Sequence, residues 1–191
     1  MKKNFLISIW FTLVTTVLFG LIYPLIVTGI SLALFPNRAN GQLIEKNGKV
    51  IGSRIIGQAF TGAGYFHSRP SAAGTGYDAT SSGGSNLGPT NKALIARVDS
   101  DMQQMHAENP SVPVPIDLVT ASGSGLDPDI SPAAAEFQIP RVSHERHISE
   151  AELRAIVARH TERRQFDFLG EPRVNVLELN IELDAMHPVR R

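Results

Sequence analysis

Serine, aspartate and histidine, the side chains that could build a hydrolytic site, occur together in the second half of the chain. Ser124 lies in the run Ser122-Gly123-Ser124-Gly125, which is similar to the Gly-x-Ser-x-Gly turn of hydrolases except that position 122 is serine. Ser124, Asp127 and His144 would form a nucleophilic triad only if folding brought them together, because such triads are defined by geometry. A serine hydrolase is therefore one function that these residues leave open.

The same region contains possible metal ligands. Asp127 and Asp129 lie close in sequence, and His144 and His147 are spaced to share one helix face, but no third or fourth ligand is spaced to complete a site. Aspartates followed by proline or serine are more typical of turns and helix caps, where carboxylates accept backbone N–H bonds. We therefore predict no metal site. We predict instead a rigid structural turn formed by Gly123, Gly125 and Asp127, in which the glycines supply unusual backbone angles.

Nucleotide-binding motifs are nearly absent from the sequence. It contains neither the Gly-x4-Gly-Lys-Ser/Thr loop nor a Gly-x-Gly-x-x-Gly run between a strand and a helix. The run Ser82-Gly83-Gly84-Ser85 resembles the Ser-Gly-Gly element with which ABC transporters contact ATP. A solvated glycine-rich loop is the alternative interpretation of these four residues.

Composition excludes several further classes. The 191 residues carry 18 basic and 18 acidic side chains, so no net field favours nucleic acid, and we expect no nucleic-acid partner. The chain has no cysteine, which excludes disulfides, thiolate metal sites and cysteine catalysis.

A long apolar segment, residues 5–35, determines whether the elements that follow it lie in water or in a membrane. No charged residue occurs between Lys3 and Arg38. A helix needs roughly 20 apolar residues to cross a bilayer core, and this segment is longer than that. A cleaved signal peptide would have a shorter apolar region and a small-x-small cleavage site, whereas this segment ends in Leu34-Phe35-Pro36. We predict a retained transmembrane helix over residues 5–35, with residues 1–4 in the cytoplasm.

Small or polar residues recur at every fourth position along this segment. Membrane helices associate through small residues and hydroxyl groups, because lipid provides no hydrophobic driving force between them. Pro24 removes one backbone donor and should kink the helix nearby. The predicted surface for a partner helix, called the anchor stripe below, consists of Ser8, Thr12, Thr16, Gly20, Pro24 and Thr28.

The remaining residues, 36–191, predict one α+β domain. Asn47-Gly48 between apolar pairs indicates a tight hairpin. Helix starts are predicted at Thr90, Ser131 and Ser149, the last with Glu152 as a capping box. Short strands are predicted at residues 116–120 and, from alternating apolar residues, at 173–183. The short basic N-terminus favours a cytoplasmic start and an extracytoplasmic domain, because long domains cross largely regardless of charge.

Several long motifs, read in order, resemble one family. They are Tyr23-Pro24-Leu25, Gly57-Gln58-Ala59-Phe60, residues 65–72 (YFHSRPSA), residues 82–88 (SGGSNLG), residues 119–128 (VTASGSGLDP) and residues 170–180 (GEPRVNVLELN). Nearly end to end, the chain resembles the C subunits of the bacterial Kdp potassium-transporting ATPase.

The resemblance implies a non-catalytic subunit of the inner membrane. Its implied partners are a channel-like potassium-translocating subunit, a P-type ATPase subunit and a small membrane subunit, besides the lipid bilayer. The family is described as a catalytic chaperone that raises ATP affinity through the element at residues 82–85, and also as having its domain outside, over the potassium entrance. An external domain cannot touch cytoplasmic ATP, so we expect no tightly bound cofactor and coupling through the helices.

Two other predictions concern the outer domain. Asp127, Asp129, Glu171 and Glu178 lie in or beside the family motifs, where they could form a rim that attracts potassium; caps and solvated strand-face residues are the alternative. Other functions still open are a membrane-anchored serine hydrolase and an extracytoplasmic ligand-binding module.

Overall fold

The computed structural model describes residues 2–188 and begins with one long helix. The helix comprises α1 (Lys2–Val17), a π-helical segment (Leu18–Ile22) and α2 (Tyr23–Leu34). Together these span 33 residues, and the helix is long and apolar enough to cross a membrane. None of its residues is buried within the chain, so its apolar surface is available to lipid or to other helices.

The π-helical segment has a cause in the sequence. Proline lacks a backbone N–H, and its ring clashes with the carbonyl four residues earlier, which for Pro24 belongs to Gly20. Gly20 lies within the π segment, and Pro24 is at the start of α2. Next to Pro24, where a kink is predicted, the structure therefore has a widened π-helical turn.

Two compact units divide the chain, one up to Ile51 and one from Gly52 onward. After the long helix, the first unit contains a single turn, α3 (Pro36–Ala39), and most of a hairpin formed by β1 (Leu43–Lys46) and β2 (Lys49–Ser53). Asn47 and Gly48 connect the strands with φ of 55° and 73°. Both angles suit the tight turn that Asn-Gly favours, so the predicted hairpin is confirmed.

The second unit mixes helices with one small sheet, which confirms the α+β class. Its strand β5 is central and pairs antiparallel with β3 on one side and β4 on the other, with Val174 opposite both Ile130 and Thr161. The elements in chain order are α4 (Lys92–Glu108), a 3-10 turn (Ile116–Leu118), β3 (Asp129–Ile130), α5 (Pro132–Arg146), α6 (Glu150–His160), β4 (Thr161–Glu162), β5 (Arg173–Asn175) and α7 (Val176–Met186).

Helices α5, α6 and α7 pack on β5 and supply most of the core. Their fully buried side chains include Phe137, Leu153, Ile156, Leu179 and Leu183. Burial of such side chains stabilises a fold by about 1.5–3 kcal/mol each, so this packing fixes the platform to which the loops are attached.

Side-chain caps begin each long helix of this unit. The Ser131 and Ser149 hydroxyls accept bonds from Ala134 N and Glu152 N, as the sequence predicts. The cap predicted at Thr90 lies one residue later, where Asn91 accepts from Ala93 N. Such caps typically contribute about 1 kcal/mol.

The predicted strand over residues 173–183 is wrong beyond Asn175. That residue ends β5 and caps α7 by accepting a bond from Glu178 N. The buried positions of α7 are 176, 177, 179, 180 and 183, which is the spacing of one helix face. Of the four alternating apolar residues, Ile181 is only half-buried, whereas Val176 and Asn180, which break the alternation, are buried. The burial therefore follows the period of a helix, and the Asn175 cap starts that helix.

Two smaller predictions also differ from the structure. Residues 116–118 form a 3-10 turn rather than a strand. Helix α5 continues past Pro140 to Arg146, although it was expected to end near Gln138. Pro140 is exposed, and so is Glu136, whose carbonyl the proline leaves unbonded. Water can therefore bond that carbonyl, which lowers the cost of a proline inside the helix.

Buried carboxamides hold a long segment without helix or strand, residues 54–91, to this helical platform. Asn180, 1% exposed, accepts a bond from Phe66 N and donates one to Phe66 O, both 2.9 Å long. Gln138 does the same for His67, at 2.8 and 3.1 Å. Each amide thus satisfies the two backbone groups that one loop residue would otherwise bury unpaired.

We expect Asn180→Leu to lower the free energy of unfolding of the second unit by at least about 1–3 kcal/mol, because it strands two buried backbone groups. Denaturant unfolding of the full-length chain in detergent would measure the change. Gln103→Leu, the same type of change at an exposed position of α4, should leave the midpoint within about 0.5 kcal/mol of wild type. Equal midpoints for both variants would contradict this assignment.

Candidate functional site

Two of the motifs that the sequence separates by about 40 residues meet in the second unit. Gly83 N donates to Ser124 O at 2.8 Å, and the Ser82 hydroxyl donates to the same carbonyl at 3.0 Å. A Cβ atom added to Gly84 would lie 3.3 Å from Gly123 O. Residues 82–85 and 122–125 are therefore in contact. Together with residues 69–73 and Leu126–Asp127, they form what we call the loop junction.

Position 125 of the loop junction accepts only glycine. Its φ is +66°, and an added Cβ would lie 2.6 Å from Ala73 N and 2.7 Å from Gly83 O. Both the backbone angle and the space therefore require glycine. The corresponding expectation for Gly123 is wrong, because its φ lies outside the left-handed region and an added Cβ would meet nothing within 4 Å.

The Ser71 hydroxyl joins the turn of residues 71–77 to Gly125. Ser71 Oγ donates to Gly125 O at 2.6 Å and accepts from Ala73 N and Tyr77 N at 3.2 and 2.7 Å. The Tyr77 hydroxyl in turn donates to Arg69 O. Burial raises the pKa of Tyr77, so the phenol remains a donor at neutral pH.

Asp127 neutralises a partly buried arginine at the edge of the junction. Its carboxylate lies 3.0 Å from Arg69 Nη1 and accepts a bond from Asp129 N at 3.1 Å. Arg69 Nε also donates to Thr120 O at 3.3 Å. Nearby, Gly57 N donates to Leu126 O at 2.8 Å, and a Cβ on Gly57 would come 2.5 Å from Asp127 O. Sequence reasoning missed Arg69, although it lies inside the motif of residues 65–72.

The structure does not assemble the predicted triad. The Ser124 hydroxyl contacts Ser122 Oγ at 3.3 Å and accepts from Leu126 N at 3.1 Å, both inside the same turn. The His144 side chain is 83% exposed on α5, and its Nδ1 lies 3.5 Å from the Glu145 carboxylate. Across residues 2–188, no hydrogen bond joins Ser124 to His144 or Asp127. The geometry therefore gives no support to a serine hydrolase.

The possible metal ligands are also separated by the fold. His147 adopts a left-handed conformation, with φ of 56°, and terminates α5. It therefore does not share a helix face with His144, contrary to the spacing argument. Among the described residues, no three histidine, aspartate or glutamate side chains lie close enough together to hold a metal ion.

Each carboxylate of the predicted potassium rim contacts an arginine. Asp127 pairs with Arg69, as described above. The other three pairs are Asp129 with Arg173 at 3.1 Å, Glu171 with Arg164 at 2.5 Å and Glu178 with Arg54 at 3.1 Å. Burial raises the pKa of Asp129, although the Arg173 guanidinium and the Asn175 amide oppose the shift. The local charge that an ion would meet is therefore largely compensated.

A cavity of about 230 Å³ lies between α4 and the loop of residues 59–70. Its polar lining includes His67, Arg69, Tyr77 and Gln138, beside Met105 and Leu118. Burial and the nearby Arg141 guanidinium lower the pKa of His67, so the imidazole is neutral at pH 7. Nothing in the spacing of these residues indicated a cavity, because they come from distant segments.

The anchor stripe lies on the long helix, whose side chains are almost all exposed. Its Ser8 hydroxyl donates to Asn4 O at 3.0 Å within the same helix. A Cβ added to Gly20 would meet only Thr16 Cγ2, at 3.9 Å. Four residues slightly exceed one α-helical turn of 3.6 residues, so the stripe winds round α1. The wider π turn at Leu18–Ile22 offsets part of that drift.

Comparison with known proteins supplies what the geometry alone does not. The family model described as K+-transporting ATPase, c chain (KdpC), matches residues 5–185, which include most of the long helix and nearly all of the second unit. The chain belongs to the KdpC family. The predicted resemblance is thereby confirmed.

Individual KdpC relatives align with the chain over most of their lengths. Each of the following is named "Potassium-transporting ATPase KdpC subunit". The protein of Koribacter versatilis is 60% identical over 189 residues, covering 99% of this chain and 98% of its own. The Acidobacterium capsulatum protein is 59% identical over 181 residues, covering 94% and 97%. The Caulobacter vibrioides protein is 56% identical over 174 residues, covering 91% and 88%.

For the loop junction we expect Asp127→Ala to lower the free energy of unfolding by about 1–3 kcal/mol, since it leaves Arg69 Nη1 and Asp129 N without their carboxylate acceptor. Asp127→Asn retains an acceptor for Asp129 N and should have a smaller effect. Thermal unfolding and potassium transport should be measured on the same preparations.

The matched control for that prediction is Asp99→Ala, which removes an exposed carboxylate on α4 and should change neither quantity. Unchanged unfolding of Asp127→Ala together with lost transport would contradict a structural role. It would identify Asp127 as a functional carboxylate.

Proposed function

We propose that this chain is a non-catalytic accessory subunit of a potassium-transporting ATPase. The observation that carries the proposal is the KdpC family match over residues 5–185, together with relatives that align over almost their whole length. On this proposal residues 1–4 are cytoplasmic, the long helix crosses the inner membrane once, and the domain from residue 36 lies outside. The basic residues Lys2 and Lys3 at the N-terminal end of the helix support that orientation.

Catalysis is assigned to a partner subunit. The sequence has no Asp-Lys-Thr-Gly-Thr phosphorylation motif. The hydroxyls of the loop junction are engaged with each other and with backbone groups, and within residues 2–188 no histidine or carboxylate is hydrogen-bonded to Ser124. A nucleophile needs an adjacent general base to react at neutral pH, so these residues serve better as structure than as an active site.

A structural role is also proposed for residues 82–85, without direct contact to ATP and without a tightly bound cofactor. Phosphate cradles are built from free backbone N–H groups. Here Gly83 N and the Ser82 hydroxyl already donate to Ser124 O. Any effect on ATP use would then be a coupling free energy, transmitted because assembly favours one state of the ATPase subunit.

The proposed partners are the channel-like subunit, the P-type ATPase subunit and the small membrane subunit. One helix cannot enclose a pore, so the anchor would act by packing against a helix of a partner. Gly20 offers the closest approach on the anchor stripe, because no side chain covers it within 3.9 Å. The arginine-paired carboxylates Asp127, Asp129, Glu171 and Glu178 brace the domain in this proposal, with no separate role in attracting potassium.

Membrane topology provides the direct test of the proposed placement. A reporter enzyme that is active only in the cytoplasm, fused after Arg191, should be inactive, because the domain carries it outside. The control is the same reporter fused ahead of Met1, where it should be active. Strong activity from the fusion after Arg191 would overturn the external placement and make contact with ATP feasible.

Helix packing through the anchor stripe gives a second expected outcome. Gly20→Leu should weaken assembly by roughly 3- to 30-fold, the effect of losing about 0.6–2 kcal/mol of helix association. Recovery of the other ATPase subunits with a tagged chain would measure it.

Two control variants accompany this measurement. Gly29→Leu makes the same change at an off-stripe position where a Cβ meets nothing within 4 Å, and Leu18→Ile also lies off the stripe. Both should assemble like wild type. If Gly20→Leu assembles as well as they do, the anchor stripe is not a packing surface.

A further inference from the structure

The turn between β4 and β5 exposes large apolar side chains. It comprises residues 163–170 and is called the aromatic tip below. Phe166 and Phe168 are 77% and 70% exposed, and Leu169 is 47% exposed. None of the three belongs to the core cluster or packs against it. These side chains therefore do not contribute to the packing of the domain that carries them.

The aromatic tip has a defined backbone. Gln165 and Leu169 exchange both backbone bonds, at 2.8 and 2.9 Å. Phe166 and Asp167 have φ of +53° and +64°, in the left-handed region that residues other than glycine rarely adopt. Maintaining two such residues in succession costs free energy, and such conformations persist at sites where the geometry is used.

Ion pairs attach the aromatic tip to the sheet. Arg164 Nη2 lies 2.5 Å from Glu171 across the turn, and Arg173 Nη2 lies 2.7 Å from Glu162 at its base. Arg173 begins β5, the central strand of the three-stranded sheet. The two phenyl rings, with centroids 6.5 Å apart, are thus presented on a supported hairpin.

We propose that the aromatic tip is a docking element, which inserts Phe166 and Phe168 into an apolar cleft on a water-facing surface of another subunit of the ATPase. The inference rests on the proposed function, because it requires partner subunits. Aromatic side chains are the usual anchors of protein interfaces, since they bury large area with little loss of conformational entropy.

Asp167 favours a protein partner over a lipid surface. It lies between the two phenylalanines, and within residues 2–188 its carboxylate has no ion-pair or hydrogen-bond partner. Insertion of both rings into lipid would draw this charge toward the hydrocarbon, where a carboxylate is costly. A protein cleft can provide a cation or N–H donors at its rim. The exposed Arg163 supplies the opposite charge for a partner carboxylate or carbonyl.

Photo-crosslinking in membranes that contain the whole ATPase tests the proposal directly. With Phe168 replaced by benzoylphenylalanine, irradiation should link this chain to another ATPase subunit. The same analogue at Gln103, exposed on α4, is the control and should give less of that product. Adducts with lipid or with a second copy of this chain, or no adduct above the control, would overturn the proposal.

Substitution provides an independent measurement. The double variant Phe166→Ser/Phe168→Ser should reduce recovery of the other subunits by roughly tenfold or more, as expected for loss of two aromatic anchors. Its unfolding midpoint should match wild type, because both rings are already in water. Ile116→Ser, at a position 75% exposed outside the tip, is the matched control and should assemble normally. Wild-type recovery by the double variant would contradict docking.

The wild-type chain separates this inference from the proposed function. If tagged wild-type chain recovers no other ATPase subunit, the proposed function fails, whatever the tip does. If wild-type chain assembles but crosslinks from position 168 are absent, the function stands and the docking element is wrong.

Discussion

The domain depends on two buried carboxamides more than on any strand. Residues 54–91 contain no helix or strand, yet Phe66 within them is fully buried. A buried backbone without a ladder must find other partners for its N–H and C=O groups. Asn180 and Gln138 supply them by bonding both groups of Phe66 and His67. Residues 69–73 and 82–85 of the loop junction follow Phe66 and His67 in the chain. Their position therefore depends on the side-chain amides of Gln138 on α5 and Asn180 on α7.

The polar side chains of the loop junction therefore form hydrogen bonds within the domain. Ser71, Ser82 and Ser124 use their hydroxyls or carbonyls to join loops, and Gly125 lets three backbones approach closely. Residue types that suggest catalysis in the sequence alone join loops to each other in the structure. Motifs of this kind are specific because many distant atoms must fit, which does not require that any of them react.

Local signals in the sequence predicted local structure well. Asn47-Gly48, Ser131 and Ser149 each specify a turn or a cap through bonds to residues at most three positions away. The strand predicted over residues 173–183 is wrong beyond Asn175 because that residue caps a helix, whose buried face includes Val176 and Asn180 and so departs from the apolar alternation. The loop junction could not be derived from spacing. Its contacts join residues about 40 to 60 positions apart, and the short patterns noted at residues 82–85 and 122–125 did not indicate that these segments meet.

The positions of the two carboxamides also have a consequence for the order of events during synthesis. Phe66 is separated from Asn180 by 114 residues, and His67 from Gln138 by 71. Chains emerge from the ribosome N-terminus first, and contacts between residues distant in sequence form slowly because closing a long loop costs entropy. The anchor helix is complete by Leu34, long before either amide exists. The anchor helix can therefore form while the loop region is still unfolded, and the domain acquires its structure only when nearly all of the polypeptide has been made.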